Sequence, residues 1–217
     1  MRIGIVGGTG DIGEGLAHRL SHEHEIIIGS REKDKACTMS KFLTDNLAEK
    51  GVLDAKCAGA TNQEAVDNGD IVILSVNYKH LESTLAGLTG FEDKIVITPV
   101  NPISKKDHFY FDPPAEGSAA LEIKRLLPES SRIVAAFNNI SAQKWKRLSE
   151  KLDYSVVVCS DDEDAKKTVM ELVNSISELK ALDGGPLEMS SVVESLTPLI
   201  LNIAKYNNMK DVGIKFF

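Results

Sequence analysis

Gly7-Gly8-Thr9-Gly10-Asp11-Ile12-Gly13 follows directly on the apolar run 3–6 and leads into an amphipathic stretch at 14–20. It contains G-x-G-x-x-G at Gly8, Gly10 and Gly13. Between a strand and a helix each glycine of that spacing has a mechanical task. The first permits a tight turn, the second lets a pyrophosphate approach the backbone, and the third lets the helix pack closely. Gly8, Gly10 and Gly13 are assigned those tasks in that order. The amides at the helix start then face the phosphates of a dinucleotide.

Working outward, further apolar runs lie at 26–28, 71–76, 95–100, 133–137 and 156–159. They are rich in Val and Ile and do not alternate with polar residues, as expected of parallel strands covered on both faces. Amphipathic stretches at 34–49, 81–88 and 162–176 are long enough to be crossover helices. The βαβ order predicts an α/β fold: a Rossmann-type, doubly wound, mainly parallel sheet with ligands beyond the carboxyl ends of its strands. A chain of 217 residues suits one such domain with an appendage. We assign 1–183 to the dinucleotide domain and 184–217 to a small helical C-terminal segment. In that segment Val192, Val193, Leu196, Leu199, Ile200, Leu201 and Ile203 cover more than one face of a helix, and Ile214, Phe216 and Phe217 form an apolar end. Such a surface needs covering, and a homodimer is expected. The stretch 107–117, with Pro113 and Pro114, is expected to be a long loop.

The second apolar run ends Ile28-Gly29-Ser30-Arg31, where a site for NAD would usually carry an Asp or Glu against the ribose hydroxyls. Here Ser30 can hydrogen-bond a 2′-phosphate, Arg31 can pair with it, and Lys35 adds charge one helical turn further on. That favours NADP over NAD. A net charge of −7 and a pI near 5.3 supply no basic field, so nucleic acid is not expected as a partner and anionic ligands must be held locally. Cys37, Cys57 and Cys159 form no close pair, which suits a reduced cytoplasm, and no apolar stretch is long enough to span a bilayer. No metal site is expected. The run 160–164 reads as a capping box, Ser160 with Glu163, opening a helix, and the i, i+4 and i, i+2 spacings of His18, His22 and His24 lack the acidic partner and further ligand of a metal site. His80, Lys105 and Lys106 read as solvated or structural side chains.

These residues, with Val193-Glu194-Ser195-Leu196-Thr197-Pro198-Leu199-Ile200-Leu201-Asn202 and Gly213-Ile214-Lys215-Phe216, resemble the archaeal coenzyme F420-dependent NADP reductases over essentially the whole chain. The resemblance implies reversible hydride transfer between reduced coenzyme F420, an 8-hydroxy-5-deazaflavin, and NADP. Two such rings need only be stacked with reacting carbons about 3 to 3.5 Å apart and shielded from water, so no acid, base or nucleophile is expected. It implies further that Thr9, Gly10, Asp11, Ile12, Ser30, Arg31 and Lys35 hold the adenosine half of NADP. Val76, Asn101 and Ala142 line its path toward nicotinamide, and Ile140 packs on the rings and sets their spacing. Thr9 and Ser195 lie close to the nicotinamide, and Val212 and Ile214 form part of the deazaflavin pocket. The chain departs from the family pattern at Asn77-Tyr78 (Pro-Trp in the family), Asn138 (histidine), Ser141 (proline) and Ser191 (arginine). Asn138 and Asn139 either hydrogen-bond a polar ring edge or serve a local turn. The dinucleotide fingerprint also suits an NADPH-dependent reductase of another acceptor, such as a flavin, an imine or a metal chelate, or a non-catalytic NADP sensor.

Overall fold

The computed structural model describes residues 1–52, 54–141, 144, 145, 147, 152–177, 179–210 and 212–217. In chain order its elements are β1 (Arg2–Val6), α1 (Asp11–Leu20), β2 (Glu25–Ser30), α2 (Lys33–Glu49), β3 (Cys57–Thr61), α3 (Asn62–Asn68), β4 (Ile71–Leu74), α4 (Leu81–Leu85), β5 (Ile95–Thr98), β6 (Ile103–Lys105), β7 (Phe109–Phe111), α5 (Ala119–Leu126), β8 (Arg132–Ala135), β9 (Tyr154–Val158), α6 (Glu163–Ser175), β10 (Leu179–Asp183) and α7 (Ser190–Tyr206). A parallel sheet of six strands runs β3-β2-β1-β4-β5-β8. The chain winds outward from β1 to β3, then returns to lay β4 on the other side of β1. That reversal opens a crevice at the carboxyl ends of β1 and β4.

The uninterrupted apolar runs are explained by burial on both faces of this sheet. Ile3, Ile5, Ile71, Ile73, Ile95 and Ile97 point into one layer, with Leu16, Leu20, Leu43, Trp145 and Val169. Val6, Val72, Leu74 and Val96 point into the other, with Leu81, Phe91, Ile123 and Leu187. Neighbouring strand residues point to opposite faces, so both must be apolar when both faces are covered.

Three expectations are corrected, and one strand carries no signal in the sequence. The run 156–159 does not extend the main sheet as a parallel strand: β9 pairs in parallel with β10 and meets β8 through one antiparallel bridge, Ala135 to Cys159. β3, Cys-Ala-Gly-Ala-Thr, is a strand with no apolar run, because an edge strand under α2 is only partly buried and small residues suit the close approach. The stretch 107–117 is loop only in part, since β7 pairs antiparallel with β6 in a hairpin. Asn202 fixes that hairpin by accepting from the Phe109 amide at 2.9 Å and donating to the Phe109 carbonyl at 2.7 Å. Finally, α6 is capped by Asp162, whose carboxylate accepts from Ala165 N at 2.7 Å, while Ser160 donates to the Ile133 carbonyl at 2.7 Å.

The last segment lies along the domain. α7 packs on α5 and β7, and the terminal strand-like stretch runs beside β9, with Ser155 N donating to Ile214 O at 3.0 Å and Phe216 N to Ser155 Oγ at 2.9 Å. Among the described residues no helix is long and apolar enough to cross a membrane.

Candidate active site

The turn after β1 is built as the fingerprint requires, with one task moved. Gly7, not Gly8, takes the left-handed conformation, at φ +71°, and makes the tight turn. Gly8 instead lies against the sheet, its amide donating to the carbonyls of Gly29 at 2.8 Å and Ile5 at 3.2 Å. A Cβ on Gly13 would stand 2.6 Å from the Gly8 Cα, so this glycine is what lets α1 descend onto the turn. A Cβ on Gly10 would meet nothing closer than the Gly7 carbonyl at 3.5 Å. The protein itself thus has no need of a glycine at position 10, which borders open space. Gly10 is also the N-cap of α1 and offers no side chain to its first-turn amides.

That space is a cleft of about 700 Å³ running from Gly7, Thr9 and Gly10 to Ser30, Arg31 and Lys35. Ser30 is buried and accepts from Glu32 N at 3.2 Å, Arg31 is exposed, and Lys35 pairs with Glu32 at 2.6 Å. Two features here were not read from the sequence. Asn62 Oδ1 accepts from the Gly7 amide at 3.0 Å and so braces the turn, and it sits in the first turn of α3. Thr61 caps that helix in a true capping box with Glu64, whose carboxyl is held near 2 by Lys33 and then by the Thr61 amide. The signal was present as Thr61-x-x-Glu64. His80, read as solvated or structural, also borders this cleft.

A second compartment of about 410 Å³ joins the first at Val76 and Asn77, which border both. Its walls are Ile12, Tyr78, Val100, Ile103, Ile140, Ile200, Leu201, Ala204 and Val212, with Asn101, Asn138, Asn139 and Thr197 as polar members. Asn101 donates to the Asn138 carbonyl at 2.8 Å, Thr197 donates to the same carbonyl at 2.7 Å, and Asn138 donates to the Val100 carbonyl at 3.0 Å. Asn139 donates to the Ser155 carbonyl at 2.8 Å. The side-chain oxygens of Asn138 and Asn139 are buried without a partner among the described residues. Ile140 is 5% exposed, so it belongs to the core and to the compartment at once.

Of the expected site residues, Thr9, Gly10, Ser30, Arg31, Lys35 and Val76 line the first compartment, and Ile12, Val76, Asn101, Ile140 and Val212 the second. Gly8, Asp11 and Gly13 shape the turn without lining either. Ser195 lies outside the lining, its hydroxyl donating to Val192 O at 2.7 Å, and Thr197 is the α7 hydroxyl that borders the cleft. Ile214 also lies outside it, beside β9. Ala142 lies outside the described residues.

The model of the family described as NADP oxidoreductase, coenzyme F420-dependent, matches residues 2–102. The F420-dependent NADP reductase of Methanocaldococcus jannaschii is 38% identical over 99% of this chain and 97% of its own length. The chain belongs to the F420-dependent NADP reductase family. A second member, from Methanothermobacter thermautotrophicus, is also 38% identical, over 99% of this chain and 94% of its own. The fold agrees. A crystal structure from Arthrobacter sp. FB24, provisionally described as an F420-dependent NADP-reductase, superposes with a TM-score of 0.81 at 21% identity, covering 100% of this chain and 99% of that one. The family thus extends over the second compartment and α7 as well as the dinucleotide turn.

Proposed function

We propose that the protein catalyses reversible hydride transfer between reduced coenzyme F420 and NADP. The observation that carries the reading is the two-part cleft: a polar compartment with placed cations meets a mostly apolar one at Val76 and Asn77. The residues fit both ligands. Gly10 leaves room that only a close-approaching ligand uses, the start of α1 suits a pyrophosphate, and Ser30, Arg31 and Lys35 suit a 2′-phosphate. The apolar walls, with two unmatched amide oxygens nearby, suit a flat ring carrying N–H donors.

The two bound rings supply the carbon centres between which the hydride passes. The protein's part is placement. Thr9 and Gly10, with Ser30, Arg31 and Lys35, anchor the adenosine half of NADP, and Val76 and Asn101 guide the rest toward the junction. Ile140 packs on the rings there and Val212 closes the apolar end, excluding water and keeping the reacting carbons at transfer distance. Thr9, on the turn after β1, lines the first compartment and would lie close to the nicotinamide. The segment 184–217 acts as the deazaflavin wall on a dinucleotide domain of 1–183.

A homodimer completes the reading. Val192, Leu199, Ile203 and Tyr206 form one exposed stripe along α7, and a second copy of the chain would cover it. The three unpaired cysteines suit a reduced cytosol.

The test is anaerobic mixing of the protein with reduced coenzyme F420 and NADP, following the deazaflavin absorbance, with NAD and free flavin as controls. Rapid oxidation that depends on NADP is expected. Binding of NADP without turnover would overturn the reading in favour of another acceptor or a sensor.

A further inference from the structure

Glu194 is a wholly buried carboxylate away from the reacting centre. It lies on α7 at 0% exposure and accepts from the first two amides of α5, Ala119 N at 2.8 Å and Ala120 N at 3.1 Å. Ser118 caps the third amide, Leu121 N, at 3.0 Å, and its hydroxyl lies 2.8 Å from that of Ser190, one turn before Glu194 on α7. Ser118 and Ser190 are also fully buried. Burial raises the Glu194 carboxyl to about 7 against the pull of the two amides, so the acid is kept there at a cost. A helix start open to water would need no such partner. What the buried knot achieves is to join α7 to α5 at one height.

Both walls of the second compartment hang from that joint. One turn beyond Glu194, Thr197 ties α7 to the Asn138 carbonyl, and Ile200, Leu201 and Ala204 follow as the wall. Tyr78 also borders the compartment, and its phenol, pushed up first by burial, lies near enough to Glu122, in the first turn of α5, to be raised further by that carboxylate. We propose that Glu194 is a positioning residue for the deazaflavin, holding α7 at the distance from α5, and hence from Tyr78, that sets the width of the second compartment. This rests on the reading of that compartment as the deazaflavin site. The first compartment is bordered by no residue of α5 or α7, so the effect should be confined to one ligand.

The experiment compares wild type with Glu194→Gln, which keeps the length and loses an acceptor, and Glu194→Asp, which keeps the charge and loses the reach. Dissociation constants are measured by deazaflavin fluorescence for oxidised coenzyme F420 and by calorimetry for NADP. Coenzyme F420 should bind about tenfold more weakly or worse, while NADP stays within about twofold. A general loss of structure would weaken both. Ser190→Ala, which removes only the neighbouring hydroxyl, should show the same split at smaller size and decides the matter if the Glu194 variants do not fold. An unchanged F420 constant in a folded variant, or two constants that move together, would overturn the proposal. Wild type that binds NADP but no F420 would instead overturn the function itself, and this proposal with it.

Discussion

Arg31 stands exposed at the end of β2, beside a buried Ser30 and a Lys35 already paired with Glu32. That pair is exposed on both sides, 63% and 66%, and is worth at most about 1 kcal/mol, so a phosphate can take the lysine at little cost. Arg31 is the cation with a planar fork for a phosphate. Arg31→Ala should weaken NADP binding about tenfold to a hundredfold and leave NAD within about threefold. Titration calorimetry checks this, and unaltered NADP binding would remove Arg31 from the site. Ile140 makes a different demand, because its shape rather than its charge is used. Ile140→Ala should slow single-turnover hydride transfer about tenfold or more, with dissociation constants much less affected, since a looser stack spoils alignment more than binding. An unchanged single-turnover rate would leave Ile140 an ordinary core residue.

At the scale of the element, the strand, turn and helix that open the chain separate two reasons for a glycine. At Gly13 the obstacle is the protein's own backbone, 2.6 Å from where a methyl group would stand, so Gly13→Ala should cost about 1–3 kcal/mol of stability and weaken NADP as α1 is pushed away. At Gly10 the nearest protein atom is 3.5 Å away and φ is −85°, which any residue adopts. Gly10→Ala should therefore leave the melting temperature within a few degrees and still weaken NADP at least about tenfold. Thermal melts beside binding isotherms separate the two. A Gly10 variant that binds NADP normally would show that no ligand approaches there.

For the molecule as a whole, the buried acid on α7 enters the balance of stability. Glu194 is raised from 4.5 to about 7, so the folded chain holds a proton that the unfolded chain releases between those values. Its contribution is therefore largest in acid and falls as pH rises through that window, by about 3 kcal/mol in all. His18 acts in the opposite sense: burial lowers it from 6.5 to about 4, so the unfolded state takes up the proton first and stability rises with pH over nearly the same span. The two offset in wild type. Denaturation of Glu194→Gln against wild type from pH 5 to 8 isolates the first, and wild type should lose its relative advantage as pH rises. A flat difference would mean that the Glu194 carboxyl binds its proton no more tightly in the folded chain than in the unfolded one. At the same scale, sedimentation should find twice the chain mass, and Leu199→Asp should return it to one by placing a charge on the exposed stripe of α7. A wild-type monomer would refute the dimer.

The sequence by itself determined five of the six strands of the main sheet and the glycine spacing of the dinucleotide turn. An apolar run covered on both faces reads the same in the chain as in the fold, and a glycine triplet at fixed spacing is local. Arg31 and Lys35 were legible for the same reason, since they follow the strand end within one helical turn. Tertiary structure decided whatever depends on partners far apart in the chain. It moved the tight turn to Gly7, braced by Asn62. It gave β9 to β10 instead of to the main sheet, and made an edge strand of Cys57–Thr61, because pairing and not apolar content defines a strand there. It set Thr197 on the cleft and Ser195 off it, a matter of which way α7 is turned. Glu194, which ties α7 to α5, lies 75 residues from the Ala119 amide from which it accepts, and no local pattern records a bond of that range.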